Sequence, residues 1–170
     1  MKILKLAATF AVCALALPAF ASVDFSEKTS VSAKDETGVG AALQKVDYIA
    51  NGKADANAEF YILLYSASWC GPCQREMPHI AELYKDKISK DKRVELVHIS
   101  CDRDVASAKA WAKQMKVKFP VVSPKNKAPI PGSQSPRGIP NMRLVDASGK
   151  LIFEGHGSNV LKYESLLLKQ

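Results

Sequence analysis

An α/β fold, with a central mixed β-sheet flanked by helices, is what three features of this chain predict. Residues 60–65 (Phe-Tyr-Ile-Leu-Leu-Tyr) and 94–100 are apolar runs without clean polar alternation, the pattern of strands covered on both faces. Each is followed by a helix-periodic segment, and that alternation implies parallel strands joined by right-handed crossovers. Residues 142–145 and 151–154 then flank Asp146-Ala147-Ser148-Gly149, a hairpin signal that adds two antiparallel strands.

Taken in order, the chain begins with an expected address label. Lys2 and Lys5 give a positive start, residues 6–17 are apolar, and Ala19-Phe20-Ala21 has the small-x-small pattern of a cleavage site. A membrane anchor needs about 20 apolar residues, and this run is shorter and stops at Pro18. Residues 1–21 are therefore read as a signal peptide, with Cys13 inside its apolar core and outside any chemistry. Residues 22–37 are polar and aperiodic and read as a flexible leader; residues 38–170 read as one domain.

Within that domain, Val39, Leu43, Val46 and Ile49 predict a helix over 38–51, ended by Gly52. A turn at 55–57 precedes the first buried strand. Met77, Ile80, Leu83, Tyr84 and Ile88 form one stripe of a helix over 75–89, in which Pro78 predicts a kink. A third helix over 104–115 turns Val105, Ala108, Trp111, Ala112 and Met115 inward. Six prolines between Pro120 and Pro140 exclude regular structure throughout that stretch. After the hairpin, residues 160–168 close the chain as an amphipathic helix. No internal repeat or domain linker is present.

Signal removal would leave 149 residues, enough for one ordinary domain with a full core, and would lower the formal charge from +7 to +5. The lysines are scattered rather than gathered on one face, so the basic balance does not point to nucleic acid. An exported chain meets a disulfide-permissive compartment. Three cysteines remain after cleavage, and Cys101 is left over once Cys70 and Cys73 pair.

The chemistry is expected at Trp69-Cys70-Gly71-Pro72-Cys73, between the first buried strand and the following helix. A sulfur at a helix N-terminus meets unpaired backbone N–H groups and the positive end of the macrodipole, both of which stabilise a thiolate. Cys70 is the expected nucleophile, at the exposed helix terminus. Cys73, one turn further in, is placed to attack a mixed disulfide on Cys70 and release the product. A structural disulfide rarely joins cysteines three apart, and a zinc site needs about four ligands, which no second Cys or His pair supplies. Trp69 flanks the nucleophile as a contact surface for partners, whereas Trp111 fits its helix stripe as core.

Residues 66–73 (Ser-Ala-Ser-Trp-Cys-Gly-Pro-Cys), together with Ile139-Pro140 before the hairpin, resemble the thioredoxin superfamily and its tryparedoxin and nucleoredoxin branch. Residues 73–78 (Cys-Gln-Arg-Glu-Met-Pro) are also similar to the signature of exported TlpA/ResA-type reductases. The resemblance implies a thioredoxin fold and a thiol-disulfide oxidoreductase acting on protein disulfides without a dissociable cofactor or metal. It implies a cis Pro140 beside the sulfurs and Ile139 backbone groups free to pair with an extended substrate. Trp69, Gly71, Pro72, Ile139 and Pro140 then form the substrate-facing surface. It further implies a membrane-embedded disulfide reductant as electron donor, a bacterial periplasmic location and a monomer.

One departure stands out. Many thioredoxins carry a buried Asp six positions before the first active cysteine, where this chain has Leu64. Glu76, three residues after Cys73 and on the same helix face, is the candidate replacement for proton exchange, as in TlpA/ResA-type proteins. Cys101 ends the second strand, where ligands gather in parallel sheets, but free Cys is commonly buried and inert. His79, His98 and His156 are isolated in sequence and read as surface or packing residues. Two other readings remain open: a copper carrier using the two thiols, or a protein-interaction module that retained the motif. A peroxide-reducing enzyme of the same fold fits less well, since such enzymes use a lone cysteine flanked by Pro and Thr.

Overall fold

The computed structural model describes residues 37–156. The signal peptide expected over 1–21, the leader expected over 22–37 up to residue 36, and the helix expected over 160–168 lie outside the described residues. Among the described residues, three helices and six strands follow in the order α1 (Val39–Leu43), β1 (Tyr48–Ala50), β2 (Phe60–Ser66), α2 (Gly71–Asp86), β3 (Val94–Ser100), α3 (Val105–Gln114), β4 (Val121–Val122), β5 (Asn141–Asp146) and β6 (Leu151–His156). A 3₁₀ turn at Ile88–Lys90 follows α2. The strands form one mixed sheet in the order β1-β4-β3-β2-β5-β6.

β2 and β3 pair in parallel from Phe60 opposite Val94 to Ser66 opposite Ser100. β2 pairs on its other side with β5, antiparallel, Tyr65 facing Asn141. Because side chains alternate along a strand, the sheet sorts its residues into two cores. Ile62, Leu64, Leu96, Met142 and Leu144 face α2 and α3, packing on Met77, Ile80, Trp111 and Ala112. Tyr61, Leu63, Tyr65, Val97 and Val145 face the opposite way, under Val39 and Leu43 of α1 and Ile130 of the proline-rich stretch.

Two expectations are corrected. The helix over 38–51 stops at Leu43, and Tyr48–Ala50 is a strand paired antiparallel with Val121–Val122. The spacing of Val46 and Ile49 suited a helix, but the open edge of β4 offered backbone partners and tertiary pairing prevailed; Asn51 and Gly52, both at positive φ, then turn the chain. The second helix starts at Gly71 rather than Arg75 and continues past Pro78. Pro72 sits in its first turn, where the missing N–H would have no intrahelical partner anyway.

The proline-rich stretch is irregular, as expected, but it is firmly attached. Arg143, buried on β5, donates to the carbonyls of Gly132 (3.4 Å) and Gln134 (2.9 Å), and its guanidinium lies 5.9 Å from the Tyr65 ring centroid. Glu154 on β6 pairs with Arg143 at 3.1 Å and accepts from Asn141 at 3.0 Å. The Asn141 hydrogen bond is the main cause, with Arg143 next among the favourable ones, of a Glu154 carboxyl held below its ordinary range. Gly132 and Gly149 meet almost backbone to backbone: a Cβ on Gly132 would lie 2.6 Å from the Gly149 oxygen, and both residues have positive φ.

His98 is fully buried on β3. Its Nε2 lies 2.8 Å from Ser66 Oγ, its ring packs edge-on against Trp111, and its Nδ1 has no protein partner. Burial, only partly offset by the Ser66 backbone and the Asp102 charge, pushes its pKa down to about 4. Between the ordinary value near 6.5 and about 4, the unfolded chain takes up a proton at His98 that the folded chain refuses, so stability falls as pH falls through that window. At pH 5 the loss is on the order of 2 kcal/mol. Denaturant midpoints at pH 7 and pH 5 should therefore diverge more for the wild type than for His98→Gln; equal divergence would mean that His98 does not carry this dependence.

Candidate active site

Cys70 lies between β2 and α2 and is the N-cap of that helix. Its backbone is extended (φ −90°, ψ 107°), and its Sγ accepts the Cys73 N–H at 3.2 Å. This is the capping role usually filled by Ser, Thr, Asp or Asn, here performed by sulfur. Cys70 and Cys73 form a disulfide with a Cα–Cα separation of 5.2 Å. Cys70 retains 6% exposure and Cys73 1%. The order of access is as expected, but the first sulfur is more enclosed than a free helix end suggests, because the chain at Ile139 comes alongside. The Ile139 carbonyl oxygen is 3.6 Å from Cys70 Sγ, and the Ile139-Pro140 peptide bond is cis.

Trp69 projects from the same surface at 60% exposure, with Gly71 and Pro72 exposed beside it. Ile139 is half-buried and Pro140 buried. The structure thus gathers Trp69, Cys70, Gly71, Pro72, Cys73, Ile139 and Pro140 at one edge of the sheet. Glu76 is half-buried one turn beyond Cys73 on α2. Leu64, at the position of the absent Asp, is fully buried in the core beneath the pair.

Cys101 is the free cysteine among the described residues. Burial first, and the neighbouring Asp102 charge second, push its thiol up to about 11. At neutral pH it is a protonated, weakly nucleophilic group. His79 and His156 are exposed, and His98 is core. No cluster of three or more His, Cys, Asp or Glu able to hold a metal ion occurs among the described residues.

Sequence reasoning missed one part of the site. Asp102, just beyond β3, is buried and accepts from the Ser68 N–H (2.9 Å), the Ser68 hydroxyl (2.6 Å) and the Ser100 hydroxyl (3.0 Å). The rule that functional groups collect at the carboxyl ends of parallel strands points to this place, but in the sequence the neighbouring Cys101 draws it. A polar residue two positions past the strand beside the cysteine-bearing one is the available signal.

The sequence profile of the AhpC/TSA family matches residues 43–151. The thiol-disulfide oxidoreductase ResA of Bacillus cereus is 34% identical over 98 residues, covering 58% of this chain and 55% of that protein. The probable nucleoredoxin 1 of Arabidopsis thaliana is 36% identical over 101 residues, covering 59% of this chain and 17% of that protein. The chain thus spans about half the length of the first relative and a smaller part of the second. Among solved structures, a thiol-disulfide oxidoreductase from Bacteroides fragilis superposes with a TM-score of 0.56 at 19% identity, over 72% of this chain and 94% of that one, a likeness of fold. Since the profile takes in β1 to β5, both paired cysteines and the Ile139-Pro140 segment, the chain belongs to the AhpC/TSA family.

Proposed function

We propose that this protein is an exported thiol-disulfide oxidoreductase that reduces disulfides in other proteins. The observation that carries this reading is the Cys70–Cys73 disulfide at the N-terminus of α2, with Cys70 Sγ accepting a backbone N–H of the first turn. An acceptor site of this kind favours a thiolate over a thiol once the disulfide is reduced. In the reduced protein, the Cys70 thiolate attacks a substrate disulfide, forming a mixed disulfide and expelling one substrate thiolate. The Cys73 thiolate then attacks Cys70 Sγ, expelling the second. The substrate gains two electrons and two protons, and the Cys70–Cys73 disulfide is restored.

Trp69, Gly71 and Pro72 offer the exposed approach, and the Ile139 backbone, beside Cys70, offers hydrogen-bonding groups to an extended substrate segment. No dissociable cofactor enters this cycle. A monomer suffices, and electrons come from a membrane-embedded disulfide reductant. The basic start, apolar run and Ala-x-Ala site of residues 1–21 support export, with 22–37 as leader and 38–170 as the working domain in a bacterial periplasm.

Exchange of each thiol separates the roles. Cys70→Ser should abolish reduction of insulin disulfides, and Cys73→Ser should accumulate mixed disulfides linked to Cys70. Loss of activity in Cys101→Ser, with Cys70→Ser still active, would refute the assignment.

The direction of electron flow follows from the residues between the sulfurs. A disulfide is strongly oxidising when its reduced form is unusually stabilised, and Gly71-Pro72 brings neither a cation nor a His to Cys70. The potential should lie nearer the roughly −270 mV of thioredoxin than the roughly −120 mV of a dedicated periplasmic oxidant. Equilibration with dithiothreitol or glutathione measures it, and a value above about −180 mV, the isomerase range, would exclude a reductase.

Glu76, on the face of α2 that carries Cys73, is assigned the proton exchange that Leu64 cannot perform. Glu76→Gln should shift the pH profile of the exchange rate, because an amide can neither take up nor return the proton that the cysteine pair exchanges. Superimposable profiles for the two proteins would remove Glu76 from the mechanism.

A further inference from the structure

We propose that Asp102 is a positioning residue that sets the reactivity of Cys70, by holding the segment between β2 and α2 so that the sulfur stays at the helix N-terminus. The inference rests on Cys70 being the nucleophile. What makes Cys70 a cap is its placement: an extended backbone conformation that puts Sγ 3.2 Å from the Cys73 N–H. Such stabilisation fades within the first helical turn, so whatever fixes the residues just before Cys70 also fixes how well a thiolate is held.

Those residues are tied to the end of β3. Asp102 Oδ1 receives both Ser68 donors, its N–H at 2.9 Å and its hydroxyl at 2.6 Å. The other carboxylate oxygen receives the Ser100 hydroxyl at 3.0 Å, while the Asp102 N–H donates back to Ser100 Oγ at 3.2 Å. The carboxylate is thus clamped on both sides and buried. One residue earlier, the Cys101 N–H donates to the Ser66 carbonyl at 2.9 Å, and from the helix side Gln74 Nε2 donates to the Ser68 carbonyl. Among these ties only Asp102 satisfies two donors of one loop residue. Its removal would leave the half-buried Ser68 with neither its N–H nor its hydroxyl accepted by a protein group, freeing the loop to move toward water or other acceptors.

Geometry and charge predict opposite signs. A buried negative charge near a thiol raises its pKa, as Asp102 does to Cys101. If Asp102 acted on Cys70 through charge alone, neutralising it would make the thiolate easier to form. If it acts by position, an acceptor of the same shape preserves the effect and truncation makes the thiolate harder to form.

The test follows iodoacetamide alkylation of Cys70 in the reduced full-length chain across pH, read by mass spectrometry. Glu76, Cys73 and Cys101 are common to every variant. Asp102→Ala should raise the apparent Cys70 pKa by about one unit, a tenfold loss of thiolate well below that pKa. Asp102→Asn should leave it unchanged or lower it. Ser68→Ala, which keeps the N–H and loses the hydroxyl, should shift it in the direction of Asp102→Ala by less, and it serves as the test if Asp102→Ala does not fold. An Asp102→Ala profile that overlays the wild type would overturn the proposal. So would a fall in both Asp102 variants, which would leave charge as the cause, or equal rises in both, which would trace the effect to general loosening at the end of β3. The measurement needs no substrate: a wild-type Cys70 that never reacts as a thiolate would defeat the proposed function, whereas a normally titrating Cys70 indifferent to Asp102 would defeat this inference alone.

Discussion

The parallel register of β2 against β3 is the constraint from which the site follows. Ser66 opposite Ser100 is the last matched pair, so both strands release their chains at the same sheet edge. The two outgoing segments, 67–70 and 101–104, then run side by side, bringing Asp102 against Ser68 although 34 positions separate them. The antiparallel pairing of β5 supplies the third segment, since Tyr65 opposite Asn141 places Pro140 level with Ser66, the last residue of β2, and Ile139 just past its end. A slip of one residue in either pairing would move every side chain of the strand to the other face. Leu64 and Tyr65 would exchange cores, and Ile139 would no longer lie beside Cys70.

The two faces of the sheet meet this constraint differently. On the helix side the cover is regular and apolar, with α2 and α3 packing along the strands, and His98 with Ser66 and Ser100 with Asp102 are buried polar exceptions. On the other side the cover includes an irregular stretch, and irregular backbone carries carbonyls that need donors. Arg143 meets two of them, and Glu154 balances its charge at the sheet edge. A buried Arg is costly unless its charge is paired; here its fork is engaged on both sides and its face lies near Tyr65. The cost is met where it counts, because the tethered residues lead into Ile139-Pro140 and the proximity of that bond to Cys70 depends on where they stop.

Much of this was legible in the sequence, and what was not has a common cause. β2, β3 and the β5–β6 hairpin carry their evidence within themselves, as apolar runs and a turn sequence, and they appear within a residue or two of expectation. Ile139-Pro140 was singled out only through the resemblance to the thioredoxin superfamily, whereas the cysteine pair was legible as a local motif. β1 and β4 were not: three residues and two residues long, they owe their conformation to each other and to the edge of β3, and nothing in Tyr48-Ile49-Ala50 alone distinguishes a short edge strand from the tail of a helix. The Asp102 clamp was hidden in the same way. Its chemistry is ordinary, and its meaning arises only when Ser68 is brought beside it.

Cys70 and Cys101 show how far placement, rather than residue type, decides chemistry here. Both lie at the carboxyl edge of the sheet, one after β2 and one after β3; Cys70 packs into the helix-side core and the half-buried Cys101 against both cores. Cys70 caps a helix and meets a backbone N–H, so its environment offers a partner for negative charge. Cys101 meets the reverse: burial removes water and Asp102 adds a like charge, and both hold its thiol in the protonated form. One carboxylate therefore stands in both accounts, fastening the segment that carries Cys70 while adding to the burial that raises the thiol of its neighbour Cys101.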